Sequence, residues 1–170
     1  MLITDLVQIK RLGEQKRPEN DRFRKHLKSH SFQELKFRKA AEEIEAQIDC
    51  TVCANCCKKA TVKLHTRDIE KLARFHGMKP AQFVKEYTQE DEEQGTVLKF
   101  EEGKGCVFLD GNDCTVYDAR PQICVDFPHL VRGNGTIPFR MWQFIDRATY
   151  CPIVYNALEE FKDQTGFKRL

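Results

Sequence analysis

Four thiols fall within eight residues of this chain. Cys50, Cys53, Cys56 and Cys57 form the pattern C-x2-C-x2-C-C. Thiolate sulfur is a soft ligand that suits zinc, Cu(I) and iron–sulfur clusters. A C-x2-C pair brings two sulfurs to the same side of a tight turn, within reach of one ion. Cys56 and Cys57 are adjacent, so their side chains tend to diverge. The pair then serves two neighbouring centres, or one of the two stands outside the ligand set. Cys106, Cys114, Cys124 and Cys151 follow at wider intervals. Four and four suffice for two four-thiolate sites.

Two metal chemistries compete for such a set. Zinc takes four ligands in a tetrahedron and has no redox role. Structural zinc fingers pair two close-spaced units, and only the first half of this set is close-spaced. Iron–sulfur clusters also take four thiolates, and a bacterial ferredoxin run reads C-x2-C-x2-C followed by Cys-Pro. Cys50, Cys53 and Cys56 reproduce its first three positions, and Cys151-Pro152 supplies a distant Cys-Pro. In either case the sulfurs carry excess negative charge, which N–H donors and cations must offset. Lys58, Lys59, Lys63, Arg120 and Arg132 are the cations near these cysteines in sequence. Asp126 and His129 follow Cys124 closely and are candidate oxygen or nitrogen ligands; a helix cap and a surface side chain are the bland alternatives. His65 and His76 read as ordinary strand and helix residues.

The elements that must position these groups follow from periodicity and turn signals. Residues 1–48 carry no cysteine and read as a helical arm, with Gly13 and Pro18 punctuating a polar stretch. One longer helix is expected from about Glu19 to Ile48, because Phe37, Ala41, Ile44 and Ile48 lay an apolar stripe. Residues 49–170 form the expected cysteine-cluster domain. Thr61–His65 alternates like a short strand. Thr66 then caps a helix whose first turn carries Asp68 and Glu70 and which Gly77 closes. Pro80 opens the next helix. Gln89–Gly95 is acidic and reads as an exposed loop. Thr96–Phe100 is a strand, and Asp110–Asp113 turns a hairpin with Cys106 and Cys114 near its two ends. Cross-strand neighbours sit roughly 5 Å apart, so both sulfurs would approach one region. Pro121 starts a helical turn presenting Cys124, and Pro128 stops it. Thr136–Phe139 reads as a strand, Ile153–Phe161 as an amphipathic helix and Thr165–Leu170 as a frayed tail. The fold class is α+β: a small, predominantly helical domain with a short β-hairpin and metal-stapled loops.

Composition narrows the partners. A chain of 170 residues with net charge +2 gives no bulk-charge argument for nucleic acid or a membrane surface. No stretch approaches the roughly 18 apolar residues of a membrane-spanning helix. The opening residues, with an early Asp5 and no basic leader, do not read as a secretory signal. The expected compartment is the cytosol, where thiols stay reduced and a disulfide framework is disfavoured.

These motifs in combination resemble the YkgJ-type cysteine-cluster family of zinc- or iron-chelating CxxCxxCC proteins. The resemblance rests on Cys50-x2-Cys53-x2-Cys56-Cys57, Thr66-Arg67-Asp68-Ile69 and Cys106-Val-Phe-Leu. It continues through Cys114-Thr-Val-Tyr117-Asp-Ala-Arg120-Pro121-x2-Cys124, Phe127-Pro128 and Cys151-Pro152. It implies that all eight cysteines act as metal ligands, with iron, an iron–sulfur cluster or zinc bound. Relatives often carry Arg after the cysteine matching Cys124, where this chain has Val125. The first functional expectation is a cytosolic metal-binding protein with a bipartite eight-cysteine centre, partnered by metal ions and a possible protein. The second is a metal-dependent or iron–sulfur enzyme using Asp126, His129 or Tyr117 as acid–base groups. The third is a zinc-stapled nucleic-acid or ribosome module contacting its partner through the Arg22–Lys39 region.

Overall fold

The structure is a computed structural model, and it describes residues 1–169. It is 56% helical with 10% in short antiparallel strand pairs, a small helical α+β arrangement as the sequence indicates. Two units are distinguished. One comprises residues 1–49 together with the chain from Pro128 onward; the other is Cys50–Phe127. The segment from Pro128, expected with the cysteine-cluster domain, therefore groups with the N-terminal helices.

The first unit is built from α1 (Leu6–Gln15), α2 (Arg17–Ser29) and α3 (Glu34–Glu45) with two later helices. The single helix expected over 19–48 is two. His30 is extended (φ −128°, ψ 144°), and the Ser29 hydroxyl donates to the Lys25 and His26 carbonyls, the second being the acceptor that a continuing helix would have given to the His30 N–H. Phe32 then stacks on Phe37 at 5.1 Å, fixing the chain's re-entry. Pro18 sits in the first turn of α2, where its missing N–H costs nothing. Gly13 does not break α1 either; it is buried, and a β-carbon there would fall 2.5 Å from the Ala148 carbonyl oxygen.

The same unit receives two helices from the C-terminal segment, which are numbered after those of the cysteine unit below. One, Ile137–Arg147, replaces the strand expected at Thr136, because Pro138 lies in its first turn. The other is Pro152–Gln164. Ile9, Phe23, Phe37, Leu130, Met141, Phe144, Ile153 and Phe161 are fully buried in this core. Lys162 is buried among them with its ammonium on Glu19 and, at 2.7 Å, on Glu159. In the tail, Phe167 meets Phe23 edge-on at 5.2 Å, and Leu170 lies outside the described residues.

The cysteine unit opens with two short helices, α4 (Cys50–Cys53) and α5 (Asn55–Lys59). It continues with α6 (Thr66–Phe75) and α7 (Pro80–Tyr87). Three antiparallel pairs follow: β1 (Thr88–Asp91) with β2 (Gly95–Leu98), β3 (Phe100–Glu101) with β4 (Gly105–Cys106), and β5 (Leu109–Asp110) with β6 (Asp113–Cys114). A 3₁₀ turn at Tyr117–Ala119 leads to α8 (Gln122–Asp126). The helices Ile137–Arg147 and Pro152–Gln164 are then α9 and α10. Gln89–Asp91, at the start of the acidic stretch expected as a loop, belong to strand β1, where Gln89 and Glu90 pair with Val97 and Thr96. The strand expected at 61–65 is a single bridge, Lys63 to Val97. Leu64, Leu72, Phe83, Leu98, Phe108 and Val116 form this unit's core, with Cys106 and Cys114 packed against it.

Candidate metal centre

Seven of the eight cysteines lie in the cysteine unit, and none of the eight is in a disulfide. The close-spaced four are distributed over two helical turns. Ala54, at φ 46°, turns the chain between α4 and α5, so Cys50 and Cys53 sit on one turn and Cys56 and Cys57 on the next. A left-handed alanine costs roughly 1–2 kcal/mol, and its methyl group is buried at 4% exposure, which offsets part of that. The neighbouring Cys56 and Cys57 sulfurs are 4.0 Å apart rather than diverging.

Cys106 and Cys114 are not the two ends of one hairpin. Cys106 pairs with Phe100 across β3–β4, and Cys114 pairs with Leu109 across β5–β6. The Thr115 N–H to Phe108 carbonyl bond, 2.9 Å, links the chain across that second turn. The strands are two residues long because Gly103, Gly105 and Gly111 all adopt positive φ, which bends the chain too sharply for a longer ladder. Gly105 has a further reason to lack a side chain. Its φ is +104°, and a β-carbon there would fall 2.5 Å from the Cys57 carbonyl oxygen and 2.9 Å from Lys58 Cα. The backbone carrying Cys106 therefore lies directly against the backbone carrying Cys57.

Four thiols of this unit influence one another's ionisation. Cys57 is lowered to about 7, first by its interaction with the Cys56 thiol and then, against burial, by the charges of Arg120 and Lys58. Cys106 is pushed up to about 11 by burial, with Cys57 and Cys114 adding repulsion. Cys124 is pushed up to about 12 by burial and by the charges of Cys106, Cys57 and Cys114. Burial also raises Cys114, and Cys57 adds to it. Burial is the largest cause for Cys106, Cys114 and Cys124, and each of these thiolates is further opposed by neighbouring thiolate charge. Arg120 acts on Cys57, Cys114 and Cys124 alike, favouring their ionised forms. Its guanidinium is held 3.7 Å over the Tyr117 ring, with Nε donating to the Tyr117 carbonyl at 3.0 Å.

Other candidates are placed elsewhere. Cys151 is buried in the first unit as the residue preceding α10, its N–H on the Arg147 carbonyl. His129, at φ 69°, and Arg132, paired with Glu45, also belong to that unit. The Asp126 carboxylate accepts the Gln122 side-chain amide at 2.8 Å. Lys58 reaches the Asn112 side-chain oxygen at 2.6 Å. His76 lies among Tyr87, Phe108 and Phe83 in an aromatic cluster. Among the described residues, no three His, Cys, Asp or Glu side chains are grouped closely enough to hold an ion as they stand. Two residues that shape the centre escaped sequence reading. Gly105 looked like a turn glycine, and only the approach of α5 reveals its second role. Asp68 looked like a helix-dipole residue, and nothing local announced its distant partner.

Fold and site together define a small α+β protein with a thiol-rich, cation-flanked centre. The chain belongs to the CxxCxxCC family, whose model, described as a "putative zinc- or iron-chelating domain", matches residues 49–152. Among curated proteins and solved structures, none matches the chain. No helix of the described residues is long and apolar enough to cross a membrane.

Proposed function

We propose that this protein chelates zinc or iron through its cysteine thiolates, and that Cys57, Cys106, Cys114 and Cys124 share one centre. The supporting observation is the mutual influence of these four thiols, with Arg120 beside three of them. The donor set fits the family's metals: sulfur-only, partly buried and flanked by a cation that offsets thiolate charge. Cys50, Cys53 and Cys56 are further ligands of the proposal on their sequence pattern alone. Zinc would supply a structural staple there, and an iron–sulfur cluster would supply electron transfer. A reducing compartment such as the cytosol fits a protein that works through free thiols.

Anaerobic purification followed by metal and acid-labile sulfide analysis tests this. Bound zinc, or bound iron with or without sulfide, is the expected result, with metal content lowered in Cys57→Ser and Cys53→Ser. Sulfide and a brown colour select iron–sulfur; colourless, zinc-loaded protein selects zinc. Metal-free protein that takes up neither metal on reconstitution overturns the reading.

A further inference from the structure

Asp68 is 5% exposed at the start of α6, and its two oxygens serve different elements. Oδ2 accepts the His65 N–H at 3.0 Å, closing the helix start. Oδ1 accepts the Gln122 N–H at 2.9 Å, across 54 residues of chain. Gln122 is the first residue of α8, and Cys124 is its third. The same helix ties the chain just before α8 as well, where the Lys71 ammonium donates to the Arg120 carbonyl.

These polar ties fix the start of α8. It is five residues long and contains no fully buried residue. A helix that short has no stability of its own. Hydrogen bonds to a carboxylate are roughly twice as strong as neutral ones, and here the acceptor is buried. Outer hydrogen bonds of this kind hold ligating side chains in place for a metal.

We propose that Asp68 is the positioning residue for Cys124: by holding the first N–H of α8 it sets where the Cys124 thiol stands relative to Cys57, Cys106 and Cys114. This rests on the chelation reading above.

The test uses metal-free, full-length protein titrated anaerobically with cobalt(II), whose thiolate charge-transfer absorption grows with the number of sulfurs bound. Asp68→Ala removes both hydrogen bonds and also weakens α6. Gln122→Pro removes the N–H that Asp68 accepts, together with the side-chain bond to Asp126. Proline is favoured at the first helical position, and the preceding Pro121, at φ −53° and ψ 150°, already has the extended backbone that a following proline requires. Gln122→Ala keeps the N–H and loses only the side-chain bond to Asp126. Cys124→Ser calibrates the loss of one thiolate. The expected result is cobalt affinity weakened about 10–100-fold in Gln122→Pro and Asp68→Ala. Their charge-transfer intensity falls toward that of Cys124→Ser, while Gln122→Ala resembles wild type. Gln122→Pro that matches Gln122→Ala in affinity and spectrum overturns the positioning role while leaving chelation standing. Wild-type protein with no thiolate charge-transfer band overturns chelation and this proposal together.

Discussion

Gly105→Ala separates the contribution of one atom to this site. The new methyl carbon would lie 2.5 Å from the Cys57 carbonyl oxygen and 2.9 Å from Lys58 Cα, both backbone atoms that no side-chain rotation can move aside. The residue must also hold φ +104°. The backbone strain amounts to about 1–3 kcal/mol, and forcing atoms into a filled space adds about 1–3 kcal/mol. The metal-free protein should lose about 2–6 kcal/mol in urea denaturation. Gly103→Ala is the matched control. Gly103 has φ +84° with nothing within 4 Å of its added carbon, so only the strain applies. The difference between the two variants isolates the approach of β4 to α5. Because relief of the clash must push Cys106 away from Cys57, Gly105→Ala should also weaken metal binding, and Gly103→Ala should not. Equal stability and equal metal affinity in the two variants would refute the reasoning.

The remaining predictions draw on charge. Thiol alkylation of metal-free protein should label Cys57 fastest, with a rate midpoint near pH 7, while Cys106 and Cys124, at about 11 and 12, stay slow below pH 9; mass spectrometry of labelled peptides reads this out. A thiol held above its unfolded value contributes stability below that value and loses it as pH rises. Metal-free protein should therefore weaken in denaturation melts from about pH 9 upward as Cys106, Cys114 and Cys124 are driven to ionise. Cys57, held low, runs the other way, and its contribution fades as pH falls from about 9 through 7. Arg120→Gln should raise the Cys57 alkylation midpoint and lower metal affinity, measured by chelator competition, since it removes the cation shared by three thiols. In the first unit, Lys162→Ala takes a fully buried ammonium away from half-buried Glu19 and Glu159, of which Glu159 keeps Lys16. It should cost about 3–5 kcal/mol in denaturation without changing metal affinity per folded molecule.

Much of this arrangement was legible along the chain because its signals are local. Pro80 and Gly77 mark α7 and the end of α6, Pro152 opens α10, and Pro121 precedes α8. The misreadings share a cause: a local pattern gave way to a distant partner. The apolar stripe through Phe37 and Ile44 suited one long helix, but Ser29 and the stacking of Phe32 on Phe37 ended it at His30. The polar residues Gln89–Asp91 looked solvated, and Gln89 and Glu90 are exposed, yet their backbone pairs with β2. Cys106 and Cys114 read as hairpin partners because the Asp110–Asp113 turn lies between them. The glycines at 103 and 105 gave Cys106 a different partner, Phe100. The site residues followed the same rule. Thiol spacing announced metal chemistry, whereas the long-range tie from Asp68 to Gln122 left no trace in either local sequence.

X-ray absorption at the metal edge of the anaerobically isolated protein probes the main claim most directly. A first shell of sulfur alone, with the metal–sulfur distance of about 2.3 Å that thiolates give zinc, is the expected spectrum, and its sulfur number should drop in Cys57→Ser. A shell of nitrogen and oxygen, or a sulfur shell indifferent to Cys57→Ser, would contradict it.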